Sequence, residues 1–207
     1  MERWSPSSSI DKGRRHYLRE SLILLGVLVA LLVFRKCSGV VQRNWSEEVA
    51  LDDGRIIAID RYVRFSTSNS LAGDAYRSTD LESELEFRKE LSSLPPWSFP
   101  LVPIVLYQDQ SSAEWVIVTT TGNCDTLYKY GYPLPPYWEF RLRGDKWVMN
   151  PLSAASMGRK TNLFFDYEPL LPVRKITPVI KEHQIEIHNY SKDYLSVDPN
   201  AGTNCNY

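Results

Sequence analysis

Residues 45–65 read WSEEVALDDGRIIAIDRYVRF, and this stretch decides the fold class. Before the turn, Val49 and Leu51 alternate with polar or small residues, which is the period of a half-buried strand. Asp53-Gly54 then predicts a turn, with Gly54 at positive φ because glycine has no side chain to clash there. Residues 56–65 are rich in β-branched side chains and predict the returning strand. The side chains expected on one face of this hairpin are Val49, Leu51, Ile57 and Ile59.

Further strand pairs follow along the chain. Two more hairpins are predicted, one from residues 102–108 and 115–121 and one from residues 137–142 and 146–149. Three other strands are predicted, at residues 83–89, 176–180 and 184–190. The connections are expected to be a loop at 66–80, an irregular stretch at 122–136 with one helical turn at 125–130, and a short helix or loop at 152–160. The pattern predicts a mainly β fold, a small antiparallel meander or sandwich.

An uninterrupted apolar run, residues 22–34, lies near the N-terminus between charged flanks. We interpret it as the core of an uncleaved signal anchor, a single transmembrane helix over residues 17–41 in which flanking cations reach the interface. Residues 1–16 then form a disordered cytoplasmic tail, 43–190 a β-rich extracytoplasmic domain and 191–207 a frayed tail.

Two alternatives remain open for the apolar run. A cleaved signal peptide would use the small residues Cys37-Ser38-Gly39 as its cleavage region, although Arg35 and Lys36 place charge where such regions are uncharged. A buried core helix is the other alternative, but the run is apolar on every face and lies between basic clusters.

The distribution of charge bears on location and on partners. Of 24 basic and 25 acidic residues, seven basic and three acidic lie in residues 1–39, which leaves 17 basic and 22 acidic residues, a net charge of −5, for residues 40–207. An acidic domain has no electrostatic footprint for nucleic acid, so we exclude that class of partner. The basic tail favours a cytoplasmic N-terminus, with the domain in the periplasm or outside the cell. The expected partners are membrane lipid, through the apolar helix, and other envelope proteins.

The chain contains three cysteines, Cys37, Cys124 and Cys205, and their spacing does not match a zinc site. If the domain is exported, Cys124 and Cys205 could form a disulfide. The alternative is two unrelated thiols, and spacing alone does not decide between them.

The opening from Trp45 to Arg55, with its acidic residues and Asp53-Gly54-Arg55, resembles a loose group of uncharacterised bacterial envelope proteins. In that group a Trp, acidic, Asp-Gly-Arg opening follows a membrane signal or lipobox. Pro135-Pro136-Tyr137 and Gly144-Asp145-Lys146-Trp147 are similar to later parts of the same pattern. This chain differs in having Phe34, Arg35 and Lys36 before Cys37, where a lipobox needs small apolar residues. The resemblance implies an envelope location and no particular activity.

Two classes of function remain open. The first is a membrane-anchored binding or structural module of the envelope, for which the aromatic and proline-rich segment 128–138 is the candidate surface. The second is a membrane-tethered hydrolase using either Cys124 with a histidine base or the cluster of Glu182, His183, Glu186 and His188. If residues 184–190 form a strand, His183 and His188 face opposite sides, which disfavours a metal site. We therefore assign no catalytic, cofactor-binding or metal-binding residue.

Overall fold

The computed structural model describes residues 25, 38–68, 77–165, 175–188, 195–203 and 205. The chain divides into two compact units, Met1–Gly39 with Ser68–Tyr76 and Val40–Thr67 with Arg77–Tyr207. Of the first unit the structure describes only Leu25 and the strand ends Ser38, Gly39 and Ser68. The core and the candidate site lie in the second unit.

Strands dominate the described part of the chain. They are β1 (Ser38–Ala50), β2 (Ile56–Ser68), β3 (Arg77–Phe87), β4 (Trp97–Phe99), β5 (Val102–Gln108), β6 (Trp115–Thr120), β7 (Tyr137–Arg143), β8 (Lys146–Pro151) and β9 (Lys175–Ile176). The helices are α1 (Cys124–Lys129), α2 (Pro178–His188) and a short 3-10 helix (Lys89–Leu91). The prediction of a mainly β fold is confirmed, as are all three predicted hairpins, the strand near residues 83–89 and the helical turn near residues 125–130.

The first hairpin closes through one residue more than the expected two-residue turn. Gly54 N donates to Leu51 O at 3.0 Å and Leu51 N donates to Arg55 O at 2.9 Å, so the loop consists of Asp52, Asp53 and Gly54. Gly54 has φ +84°, as predicted. A loop of three residues with glycine in the left-handed region is the next most common way to close a hairpin after the two-residue turns.

The strands form two sheets. One has the order β4-β3-β2-β1-β9 and the other β5-β6-β7-β8, so within each sheet most neighbours are consecutive strands, as in a meander. β9 is the exception, because it pairs in parallel with β1, with Ser46 opposite Lys175. The sequence analysis did not anticipate this parallel edge pair.

The two sheets bury their facing sides in a shared hydrophobic core. The five-stranded sheet supplies Val49, Leu51, Ile57, Ile59, Leu85, Phe87 and Trp97, and the four-stranded sheet supplies Leu106, Trp115, Ile117, Trp138 and Phe140. All four side chains predicted for one face of the first hairpin belong to this core. Two layers that share one core are the arrangement by which sheets with a single apolar face become stable.

The last described element contradicts the prediction of late strands. Residues 178–188 form helix α2, and only Lys175 and Ile176 are in a strand. Thr177 begins the helix, since its carbonyl oxygen accepts from Lys181 N at 3.1 Å and its Oγ1 accepts from Ile180 N at 3.4 Å. Pro178 suits the first helical position, where its fixed φ is helical and its missing N–H costs nothing.

Several predictions concern residues that the structure leaves undescribed. Residues 1–16 lie outside the described part of the chain, as does the apolar run 22–34 apart from Leu25. Among the described residues, no helix is both long enough and apolar enough to cross a membrane. β1 begins at Ser38, inside the range 17–41 assigned to the anchor.

Candidate functional site

An uncharged groove of about 390 Å³ opens where the loop before β7 faces the end of β8. We call it the apolar groove, and its lining residues are Tyr130, Pro133, Leu134, Pro135, Tyr137, Trp138, Met149, Asn150, Pro151, Leu152 and Met157. Leu134 is 67% exposed, Met157 40% and Met149 39%, and all three line the same groove, which is more informative than apolar side chains exposed singly. Such a lining can hold apolar groups of a ligand, and its described residues include no carboxylate, histidine, cysteine, lysine or arginine.

The first wall of the groove is the segment after helix α1. The helix is capped by Asn123, whose Oδ1 accepts from Thr126 N at 2.8 Å. The chain then reverses sharply, with Gly131 at φ +92° and Tyr132 at φ +49°. Tyr132 N donates to Leu127 O at 2.9 Å, which closes the reversal and directs Pro133-Leu134-Pro135 outward from the helix. The Leu134–Pro135 peptide bond is cis.

The C-terminal tail is attached to this wall by a disulfide and by hydrogen bonds. Cys124 and Cys205 form a disulfide with their Cα atoms 5.5 Å apart, so the pairing that the sequence left open is present. Tyr128 donates from its hydroxyl to Cys205 O at 2.6 Å, and the hydroxyls of Tyr132 and Thr203 are 2.7 Å apart. The two tyrosine rings stack with centroids 5.0 Å apart. One covalent bond and several hydrogen bonds therefore hold the loop in one conformation.

The second wall of the groove comes from the four-stranded sheet. Trp138 on β7 is 4% exposed and donates from Nε1 to Tyr130 O at 3.1 Å, which ties the sheet to the loop. Met149, Asn150 and Pro151 at the end of β8 continue this wall. Asn150 donates from Nδ2 to Val148 O at 2.7 Å, so the polar group of this wall is partly engaged within its own strand.

Cys124 is not a free thiol, because its sulfur is bonded to Cys205. A disulfide-bonded sulfur cannot serve as a nucleophile in the way that a thiolate does. The structure therefore removes the thiol on which one form of the hydrolase hypothesis depends.

The acidic and histidine cluster lies on helix α2 and not on a strand. Glu182, His183 and Glu186 are exposed on one side of the helix, opposite the buried Lys181. The predicted strand geometry for His183 and His188 is therefore wrong, and the side chain of His188 lies outside the described residues. Within the part of the chain that the structure describes, no three His, Cys, Asp or Glu side chains are placed to share a metal ion.

Arg143-Gly144-Asp145 forms the tight connection between β7 and β8, with Gly144 at φ +64°. These three residues also match a known cell-adhesion tripeptide, but a hairpin turn explains them fully, because glycine and aspartate are usual turn residues.

No family model, no curated protein and no solved structure matches this chain. The geometry of the site must therefore carry the functional argument.

The sequence analysis missed two buried ionic clusters. In the first, Glu47 is 2.8 Å from Lys181 Nζ and 3.3 Å from Arg61 Nη1, and it also accepts from Phe164 N at 2.6 Å. Burial lowers the pKa of Lys181, although Glu47 opposes that shift. The Arg61 guanidinium lies 5.3 Å from the centre of the Trp45 ring, and its Nε and Nη2 have no hydrogen-bond partner among the described residues.

The second cluster surrounds Glu139 on β7. Ser153 Oγ donates to Glu139 at 2.6 Å, and Ser156 Oγ and Arg141 Nε also donate to it. Burial alone would raise the pKa of Glu139, but these hydrogen bonds outweigh it and hold the pKa below its ordinary value of 4.5. Ser156 is fully buried, so this arrangement of serine and carboxylate offers no route to a substrate.

A signal for the first cluster was present in the sequence. Glu47 lies between Trp45 and Val49, and Arg61 lies between Ile59 and Val63, so the alternation that predicts the strands also places both charges on the inner face.

Proposed function

We propose that this chain is a membrane-anchored binding module of the bacterial cell envelope, with the apolar groove as its binding surface. In this proposal the apolar run of residues 22–34 holds the protein in the inner membrane, the N-terminus is cytoplasmic and the β domain, which begins at Ser38, lies in the periplasm or outside the cell. The expected partners are membrane lipid at the anchor and another envelope protein at the groove. No nucleic acid is expected, because the domain is acidic.

The observation that carries the proposal is the apolar groove itself. Binding sites in proteins are commonly concave and mostly apolar, with a few polar groups that fix the orientation of the ligand. Here the exposed Leu134 lies on the wall that a disulfide and tyrosine hydrogen bonds hold in place, and the exposed Met149 lies on the second wall, at the end of β8. A surface held in one conformation loses less entropy on binding than a flexible one, so this rigidity favours recognition.

The Cys124–Cys205 disulfide also supports the extracytoplasmic placement. Structural disulfides form and persist in oxidising compartments and are rare in the cytoplasm. The apolar run near the N-terminus and its basic flank favour the same orientation. The hydrolase hypothesis has less support, since its candidate thiol is bonded.

Site-specific photocrosslinking in intact cells tests the binding proposal. A photoreactive phenylalanine derivative replaces Leu134 in the full chain, and the matched control carries it at Ile56, which is 60% exposed but lies outside the groove. We expect a discrete crosslinked adduct from position 134 that disappears when Met157→Lys is added, and none from position 56. Equal adducts from both positions, or none from position 134, would contradict the proposal.

A further inference from the structure

The four-stranded sheet leaves one long edge open, and that edge runs into the apolar groove. β8 has six residues and pairs with β7 from Lys146 to Pro151, while no strand follows it in the sheet order of the described chain. Lys146, Val148, Met149 and Pro151 are exposed. An open edge is a row of backbone donors and acceptors that another chain can pair with, and natural proteins usually block it.

The opposite edge of the same sheet, strand β5, is covered by other parts of the chain. β5 is buried from Val102 to Tyr107. Asn162 donates from Nδ2 to Leu106 O at 2.8 Å and accepts at Oδ1 from Leu106 N at 2.9 Å. Its side-chain amide therefore makes the same two hydrogen bonds to the β5 backbone that a neighbouring strand would make. The backbone N–H groups of Asn162 and Leu163 both donate to Ile104 O, at 3.1 and 3.0 Å.

Both edge strands of the five-stranded sheet are too short to pair extensively with another chain. β4 has three residues and β9 has two. Very short edge strands are a common device against unwanted pairing. Among the edges that the structure describes, β8 is the longest exposed one. Lys146 and Pro151 protect its two ends, but Trp147 and Met149 between them direct their backbone N–H groups to the open side.

From this contrast we infer that β8 binds an extended peptide segment of a partner protein by strand addition, with alternate side chains of the peptide entering the apolar groove. The inference rests on the proposed function and specifies the ligand. A peptide is favoured over a lipid or a sugar because only a polypeptide backbone can pair with the edge of a sheet. The last three residues of β8, Met149 to Pro151, also line the groove, so one ligand can use both surfaces.

Charge defines the peptide further. None of the described residues that line the groove is charged, so an uncharged segment of the peptide suits it best. Lys146 is the sole charged residue of β8, is exposed and has no ion pair among the described residues, so a carboxylate at the end of the peptide would complement it. The expected ligand alternates apolar and small polar residues and carries an acidic residue at its end.

The test measures peptide binding to the full 207-residue chain purified in a mild detergent. The probe is a blocked peptide of nine residues in which valine and threonine alternate between two terminal glutamates. Its matched control carries N-methyl groups on every internal amide, which removes the backbone donors of both edges and leaves charges and side chains unchanged. We expect the probe to bind at least tenfold more tightly than the control, and a version with terminal lysines to bind a few-fold more weakly than the probe.

A protein variant gives the reciprocal test. Met149→Pro removes a backbone donor from the open side of β8, and Met149→Ala is the matched control for the loss of the methionine side chain from the groove. We expect the alanine variant to bind both peptides more weakly but to keep the preference, and the proline variant to abolish the preference for the unmethylated peptide. Should this variant fail to fold, the N-methylated control still decides, because it alters only the ligand.

Equal binding of both peptides, binding of neither, binding of a fatty acid alone, or concentration-dependent dimers that Met149→Pro disperses would each overturn the inference. The photocrosslinking experiment separates the two proposals. An adduct from position 134 together with no peptide preference refutes strand addition and supports the binding module, whereas the absence of both refutes both.

Discussion

The buried carboxylate of Glu47 links several elements of the fold. It is 1% exposed and joins β1 to Arg61 on β2, to Lys181 on α2 and to the backbone of Phe164. Removing it leaves two buried cations without a counter-ion, a loss that typically costs about 3–5 kcal/mol. We therefore expect Glu47→Ala to lower the free energy of unfolding by about that amount in chemical denaturation.

The adjacent Glu48 supplies the matched control for Glu47. Glu48 pairs with Lys175 at 2.6 Å, but the Lys175 side chain is 63% exposed, and such surface pairs contribute less than about 1 kcal/mol. Glu48→Ala should therefore be nearly neutral. Equal losses in the two variants would mean that burial of the ionic cluster has no energetic consequence.

Gly54 tests the backbone of the first hairpin. Its φ is +84°, and a Cβ atom placed there would contact nothing within 4 Å, so the cost of a side chain is conformational strain alone. We expect Gly54→Val to destabilise the protein by about 1–2 kcal/mol, seen as a lower melting temperature. Asp53→Asn should be close to neutral, because an amide oxygen can still accept from Arg55 N. Unchanged melting of the Gly54 variant would place the turn elsewhere.

Glu139 should make stability depend on pH on the acid side. Since its pKa in the fold lies below the ordinary value of 4.5, the folded state favours the carboxylate more than the unfolded chain does. The resulting stabilisation is complete above pH 4.5 and is lost as the pH falls through the folded-state pKa. We expect Glu139→Gln to be less stable at pH 7 and to show a shallower loss of stability between neutral and acid pH. Parallel pH profiles for the two proteins would refute this assignment.

Among the elements, the strands were predictable and helix α2 was misassigned. Period-two alternation and glycine turns locate β1, β2 and β5 to β8, because those strands each have a buried and a less buried face or an apolar run between turn signals. Residues 176–190 carry isoleucines that suggest strands, yet Thr177-Pro178 is a helix start. The burial of Lys181 and the exposure of Val179, at 73%, follow from packing that no local pattern encodes.

The disulfide joins the start of helix α1 to the C-terminal tail, and its removal should affect both. The two cysteines are 81 residues apart, and a cross-link of that span stabilises a domain by roughly 2–5 kcal/mol through the unfolded state. We expect Cys124→Ser combined with Cys205→Ser to lower the melting temperature and to raise hydrogen exchange at residues 130–135. A dithiol reductant should reproduce the effect in the wild type and add nothing in the variant. A wild type that melts unchanged in reductant would argue against the bond.

On the scale of the whole molecule, the β domain should be separable from the apolar segment that we propose as a membrane anchor. The composition after the apolar run is that of a globular protein, and β1 begins at Ser38. We expect a fragment of residues 38–207 to fold and stay in solution without detergent, while the full chain sediments with membranes and resists extraction by salt. Recovery of the fragment only with detergent would contradict a single anchor, and release of the full chain by salt would contradict membrane anchoring.

One wall of the apolar groove could be predicted from the sequence. The aromatic and proline-rich segment 128–138 stands out by composition and forms one wall of the apolar groove. The other wall comes from Met149 to Pro151 and from Met157, which reach the groove through strand pairing and the loop after β8. Which loop meets which sheet edge depends on the arrangement of the two sheets, and sequence spacing does not determine it.

The bond between Cys124 and Cys205 also makes the last part of the chain a closed covalent ring. β7, β8, β9 and α2 all lie on that ring, together with the whole apolar groove. A protease that hydrolyses one peptide bond at the exposed rim of the groove therefore opens the ring without releasing a fragment. Any tether on the part of the chain before Cys124 keeps both new ends, so damage at the binding surface does not shed that surface from the cell.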